Sequence, residues 1–125
     1  MFYKTRNFNR WAAKASLTDA LLLNAVKEMV NGLIDADLGG GVFKKRIALP
    51  GRGKSGSART LLATNRDDRW IFIFGFGKNE RANISDKERD ALRMVAKDLL
   101  GLTAGELKEA VEDGTLMEVN DGQKK

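Results

Sequence analysis

Cysteine and histidine are both absent from this 125-residue chain. Without cysteine there is no disulfide scaffold, no thiolate zinc site and no cysteine nucleophile. Without histidine there is no Ser-His-Asp triad, no imidazole-ligated metal and no paired-histidine ribonuclease mechanism. Any catalysis must run on Lys, Arg, carboxylates, hydroxyls or backbone groups. No apolar run approaches the ~20 residues of a membrane-spanning helix. The opening MFYKTRNFNRW lacks the apolar stretch of a signal peptide. The expectation is a cytoplasmic protein with no membrane partner. Proline occurs once, and no repeat or low-complexity tract is present. Apolar residues at 42% and charged residues at 31% make a globular balance rather than a disordered one. The length suits one domain, large enough to bury a core without staples. We expect that domain over residues 1–119, with 120–125 as a frayed tail.

The charge is uneven. The whole chain carries +5, but residues 1–100 hold 19 basic and 11 acidic side chains, while residues 101–125 hold 3 and 6. From Val42 to Arg66 stand Lys44, Lys45, Arg46, Arg52, Lys54, Arg59 and Arg66, with no acid among them. A one-sign stretch in a folded domain points to a polyanion partner. The plainer reading is a solvated strand face.

The patterning predicts a helical start, a strand-rich middle and a helical end. Phe2 to Thr5 reads as a short strand. Asn7 to Ala15 places Phe8, Trp11, Ala12 and Ala15 on one helical face. Ser16-Leu17-Thr18-Asp19 resembles a capping box with Asp in the fourth place. The helix after it, to about Ile34, turns Leu22, Ala25, Val26, Met29, Val30 and Leu33 inward. These two helices are expected to form a hairpin. Gly39-Gly40-Gly41 then stops helical structure as a flexible turn. In the strand from Val42 to Leu49, Phe43, Ile47 and Leu49 share one face, and Lys44, Arg46 and Ala48 the other. Lys45 falls on the apolar face, which calls for a bulge or for snorkelling. Ala58 to Asn65 is the next strand. Trp70 to Phe76 (WIFIFGF) is the third, apolar on both faces as a central strand is. Ser85 to Glu88 and Thr103 to Glu106 have capping-box spacing. The first opens a helix to about Leu100, with Leu92, Val95, Ala96 and Leu99 inward, and the second a short helix through Val111. Thr115 to Val119 is one more strand or an extended tail.

Three motifs carry chemistry. The loop from Pro50 to Ser57 contains Gly53-Lys54-Ser55. A phosphate-binding loop needs glycine where Ala48 stands, and a helix rather than a strand after it, so a basic loop touching backbone phosphates is the better reading. Lys78, Asn79 and Arg81 lie at the exit of the apolar strand, where rigid scaffolds carry sites. Glu80 is placed to pair with Arg81 or a neighbour. Trp70, Phe72, Phe74 and Phe76, two apart, suit one face that either stacks bases or, as large aromatics usually do, is buried.

The order of elements, with G-x-S-G-x-x-R-T-L-L beginning at Gly53 and matched over Lys54 to Leu62, and F-x-K-N-E-R-x-N-I-S toward Ser85, resembles the RelE/ParE superfamily of bacterial type II toxins, in its RelE-like or HigB-like branch. The resemblance covers roughly residues 2–100. It implies an α+β fold: a small antiparallel sheet of three to five strands, an N-terminal helical hairpin packed on it and a C-terminal helix. It implies a ribosome-dependent mRNA endoribonuclease, or in the ParE branch an inhibitor of DNA gyrase, held inactive by an antitoxin that is a small helix-turn-helix protein. The family's catalytic arginine matches Arg59, and its preceding basic residues match Arg52 and Lys54. Its second catalytic arginine falls where this chain has Asn79. The tyrosine near its last helix falls near Ser85, and the one tyrosine here is Tyr3.

The chemistry is feasible without histidine. The 2′-OH attacks the adjacent phosphorus and the 5′-oxygen leaves, and the protein supplies a base, charge stabilisation and a proton. Arginine stays protonated and clamps phosphate well. A lysine crowded by cations gives up its proton more readily. The expected catalytic set is Arg59, Lys54, Lys78 and Arg81: a lysine as base or proton donor, and Arg59 with Arg81 on the phosphorane. Lys78 or Arg81 stands in for the missing arginine. Lys44, Arg46, Arg52 and Asn79 are expected to bind RNA. No metal and no cofactor are required, and the expected partners are antitoxin, ribosome and mRNA. A basic RNA-binding domain without catalysis remains a further reading.

Overall fold

The computed structural model describes residues 1–49 and 56–120. The order is β1 (Phe2–Thr5), α1 (Arg6–Lys14), α2 (Asp19–Val30), β2 (Ala36–Gly39), β3 (Val42–Ala48), β4 (Ser57–Thr64), β5 (Trp70–Gly77), α3 (Asp86–Leu100), α4 (Ala104–Glu112) and β6 (Leu116–Glu118). The strands form one sheet in the order β2-β3-β4-β5-β1-β6. β2 to β5 are an antiparallel meander, β1 runs parallel to β5, and β6 runs antiparallel to β1. The protein is α+β as expected, but its sheet has six strands and is mixed. Pro50 and the basic loop with Arg52 and Lys54 lie outside the described residues, as does the tail from residue 121.

The helices are placed differently from the expected hairpin. α1 packs on β5 and β1, whereas α2 packs on β3. Each docks on its own strand and both bury their apolar stripes in one core with Phe43, Ile47, Leu62, Trp70 and Phe72. The opposite face packs Val42, Leu61, Ile71, Ile73 and Phe76 against Ala96 of α3 and Leu107 of α4. The C-terminal part is thus two helices and an edge strand, as the capping boxes and the stretch after Thr115 suggested, not the single helix that the resemblance implied.

Local chemistry explains the boundaries. Thr18, not Ser16, caps α2, accepting the Leu21 N–H at 3.3 Å. Ser16 instead sits at φ 61° in the turn between the helices. α2 stops at Val30 because Gly32 takes φ +94°, and the N–H groups of Gly32 and Leu33 close onto Met29 and Glu28 carbonyls at 2.9 Å. Val30 and Leu33, expected inward, are therefore exposed. Ser85 and Thr103 form both predicted capping boxes. Val95 points outward, while Leu92 and Leu99 join Ala96 against the sheet.

β2 is the strand that patterning did not suggest. Its hairpin to β3 turns through Gly40 and Gly41 at φ +63° and +84°, the pair of positive angles that a two-residue turn of this hand requires. Arg93 grips it from α3, donating its Nε–H to the Leu38 carbonyl at 2.8 Å. The glycine run is a clamped turn rather than a loose one. Lys45 is buried without any bulge, paired in register with Thr60. Its ammonium reaches Glu28 at 2.8 Å and the Leu33 carbonyl at 3.0 Å.

The four aromatics of β5 do not share a face. Leu61 pairs with Phe74 and Leu62 with Phe72, so Ile73 is an extra residue on β5. The bulge reverses the alternation. Trp70 and Phe72 enter the α1/α2 core, and Phe74 and Phe76 the α3/α4 side.

Candidate nucleic-acid interface

Arg46 and Arg59 are direct cross-strand partners, and Arg59 in turn faces Phe76 of β5. With Lys44, two residues from Arg46, they occupy the face that carries α3. α3 closes that face over Leu61 and Ala63 and, among the described residues, leaves the other end open. Arg46 is exposed, and Lys44 and Arg59 are half-buried. Like charges directly opposite on one sheet face repel. Among the described residues no carboxylate forms an ion pair with Lys44, Arg46, Arg59 or Lys78. The Asp35 carboxylate is spent on the Arg46 backbone N–H at 2.5 Å. The arrangement leaves cationic charge that an incoming anion would neutralise.

Short bonds fix these cations. The Arg59 guanidinium donates through Nη1 to Ser57 Oγ at 3.0 Å, which leaves its remaining donors for a ligand. The Ser57 carbonyl accepts the Lys78 N–H at 3.3 Å, so the β5 exit is tied to the start of β4. Lys44 Nζ reaches Asn83 Oδ1 at 3.5 Å.

Arg81 is bound more tightly than its place in an exposed turn suggested. Its guanidinium lies over the Phe76 ring at 5.6 Å. It makes a two-pronged bond to Glu88, one prong at 3.0 Å, and its Nε–H goes to the Asn83 carbonyl at 3.1 Å. The Arg81 bond, with the Ser85 N–H behind it, pulls the Glu88 carboxyl down to about 2. Glu88 therefore joins the cap of α3 to the arginine. Of the two alternatives for Glu80, Arg81 or a neighbour, the structure has the neighbour: its carboxylate accepts the Gly77 N–H at 2.7 Å.

A groove of about 520 Å³ crosses the open end of β3 and β4, from Asn24 and Glu28 of α2 past Arg46, Ile47, Ala48 and Ser57 to Lys78. Asn79 lies elsewhere. It lines a second groove of about 380 Å³ with Trp11, Lys14 and Gly77, on the α1 side. The structure thus gathers Lys44, Arg46, Arg59, Lys78 and Arg81 at one end of the sheet and turns Asn79 away. Sequence reasoning missed Ser57, Asn24 and Glu28. An α2 turn facing a basic strand was the only signal, and it needed the docking of α2 on β3 to be read. Among the described residues no group of three or more carboxylates is close enough to hold a metal ion.

Fold and site together define a small α+β protein whose sheet presents, among the described residues, a cluster of cations without carboxylate partners at the end of β3 and β4. The model of one family, described as the RelE toxin of the RelE/RelB toxin–antitoxin system, matches residues 1–119. The chain belongs to the RelE toxin family, so its role is that of a toxin with a cognate antitoxin as partner. No curated protein matches the sequence. No described helix is long and apolar enough to cross a membrane.

Proposed function

We propose that this toxin is an endoribonuclease that cuts mRNA on the ribosome, and that the open end of the sheet receives the scissile phosphate. The observation that carries the reading is the Arg46–Arg59 couple, with Lys44 and Lys78 beside it and no ion pair to any of the four among the described residues. The 2′-oxygen attacks phosphorus, its proton leaves to a base, and the 5′-oxygen departs with a proton supplied to it. The product is a 2′,3′-cyclic phosphate and a free 5′-hydroxyl. Arg59 clamps the phosphoryl oxygens as charge builds on them. Lys78, exposed at the β5 exit, is the proton-transfer group among the described residues, and Lys54 is the other candidate. Arg81, held by Glu88 and Phe76, contributes a fixed positive charge. Lys44 and Arg46 hold the message backbone. Ribosomal alignment offsets the weak acid–base machinery, since orientation supplies up to roughly 10 kcal/mol.

The test is cleavage of a defined mRNA with and without programmed ribosomes. Cutting on ribosomes only, reduced about 100-fold or more in Arg59→Ala, is expected, since a lost charged clamp costs about 3 kcal/mol or more. Full activity in a folded Arg59→Ala protein would remove Arg59 from the site. No cutting in either condition would overturn the nuclease reading and send the protein to a gyrase supercoiling assay.

A further inference from the structure

We infer that Ser57 is a positioning residue of the site, whose hydroxyl aims the Arg59 guanidinium at the end of β4. The inference rests on the nuclease reading for its catalytic consequence, but not for the contact itself. Ser57 and Arg59 stand two apart on β4 and share one sheet face. The neighbours of Arg59 on that face close the other directions. Arg46 lies directly opposite on β3 and repels it as a like charge. Phe76 lies opposite on β5, and its ring already carries the Arg81 guanidinium at 5.6 Å. Leu61, next along β4 on the same face, is fully buried in the apolar cluster that Ala96 of α3 joins. An unpaired charge there would carry a heavy desolvation cost. The direction left to the guanidinium is along the strand toward Ser57.

The Ser57 hydroxyl then fixes the aim. A guanidinium only donates, so Ser57 Oγ accepts the 3.0 Å bond from Arg59 Nη1. This is the one hydrogen bond that the Arg59 side chain makes among the described residues. A long arginine side chain held by nothing else samples many rotamers. Ser57 lines the groove at the end of β3 and β4 and Arg59 does not. The bond is therefore what carries Arg59 Nη1 to the edge of the groove that Arg46 and Lys78 also line. Ser57 is itself held in place, because its carbonyl accepts the Lys78 N–H at 3.3 Å. Its cross-strand partner Ala48 is exposed and brings only a methyl, so β3 offers the hydroxyl no rival partner. The other donors of Arg59 are thus oriented before an anion arrives, which is the preorganisation that charge stabilisation needs.

The test pairs a rate with a spectrum. In single-turnover cutting of a defined mRNA on programmed ribosomes, Ser57→Ala should lower the rate by about 10–100-fold, the scale of an ångström-sized misplacement. The half-saturating ribosome concentration should stay within about threefold, because the aimed guanidinium acts on the transition state. Ser57→Thr keeps the hydroxyl and should recover the rate to within about threefold of the parent. In an Arg59→Ala background, Ser57→Ala should add less than about twofold, since it acts through that guanidinium. A thermal midpoint equal to the parent's separates a lost aim from a lost fold. The spectrum is that of the arginine side-chain N–H groups, recorded by NMR on the full chain without ribosome or RNA. The Arg59 Nη signals should be resolved in the parent and in Ser57→Thr, and should merge in Ser57→Ala as the guanidinium turns freely. An unchanged rate or unchanged Arg59 signals in Ser57→Ala would overturn the positioning role, as would an equal loss with and without Arg59. A parent protein that cuts nothing overturns the nuclease reading. Merged Arg59 signals in Ser57→Ala would then still support the contact, and unchanged signals would overturn both.

Discussion

Replacing Gly75 by alanine tests whether the β5 bulge places this residue against α1. The backbone there does not occupy the left-handed region, so alanine meets no torsional penalty. The added methyl would lie 2.3 Å from Trp11 Cζ3 and 2.6 Å from Cε3, well inside contact distance. The indole would have to move by about 1 Å to restore ordinary packing near 3.5 Å. It is not free to do so, because its ring packs on Phe8 at 5.6 Å and Phe8 packs on Phe72 at 5.3 Å. Overpacking of this kind costs about 1–3 kcal/mol. For a chain of this size that lowers the melting midpoint by roughly 3–15 °C. Calorimetry on Gly75→Ala checks the value, and Trp11→Ala supplies the control. Without the indole the same methyl should cost nothing and gain up to about 1 kcal/mol of strand propensity. A Gly75→Ala protein that melts within 1 °C or so of the parent, or one whose loss persists in the Trp11→Ala background, would refute the packing argument.

Two further predictions concern charge. Glu28→Gln takes away the charge opposite the buried Lys45 ammonium and leaves it neutral acceptors only, and should cost about 1–2 kcal/mol in urea denaturation, discounted because Glu28 is half-exposed. Lys45→Met removes the buried charge itself and should stay within about 1 kcal/mol of the parent; the reverse order would refute the assignment. The Glu88 carboxyl titrates at about 2 in the folded chain against 4.5 ordinarily. A depressed acid stabilises fully above its unfolded value, and that contribution is lost as pH falls from about 4.5 toward 2. In Glu88→Gln the denaturation midpoint should therefore fall less steeply across that window than in the parent, and parallel slopes would refute the Arg81–Glu88 pair.

Periodicity and capping residues were enough to locate most elements. The two boxes at Ser85 and Thr103 mark helix starts because a capping box needs only a hydroxyl and a carboxylate at fixed spacing, whereas Thr5, which caps α1 with no carboxylate to follow, was not legible as a cap. The limits appear where tertiary contacts decide. β2 spans Ala36, Asp37, Leu38 and Gly39, with no strand propensity, and forms because β3 offers an edge and Arg93 holds the turn. Val30 and Leu33 fit the helical rhythm, but Gly32 ended the helix first. Arg59 and Arg46 were visible as candidates, yet their pairing depends on a strand register that composition does not encode. Glu80, beside Arg81 in sequence, was the visible candidate partner, because Glu88 lies seven positions away, across the entry to a new helix.

The β5 bulge links these observations. Were β5 regular beyond the Leu62–Phe72 pair, Leu61 would face Ile73, and Arg59 would face Gly75 instead of Phe76. Phe76 would then turn toward α1, where Trp11 already fills the space beside Gly75. With Ile73 inserted, Phe76 moves to the face of Arg59 and becomes the platform on which the Arg81 guanidinium lies. The same insertion directs Gly75 to α1, the one residue type that lets the indole approach the strand. A single extra residue therefore does two things at once: it closes the α1 core and assembles the cationic end of the sheet. Bulges re-aim side chains beside functional sites in this way. It follows that core packing and site geometry are coupled here. A substitution at Gly75, far from any charge, should disturb the position of Phe76 and Arg81 as well as the stability of the α1 core.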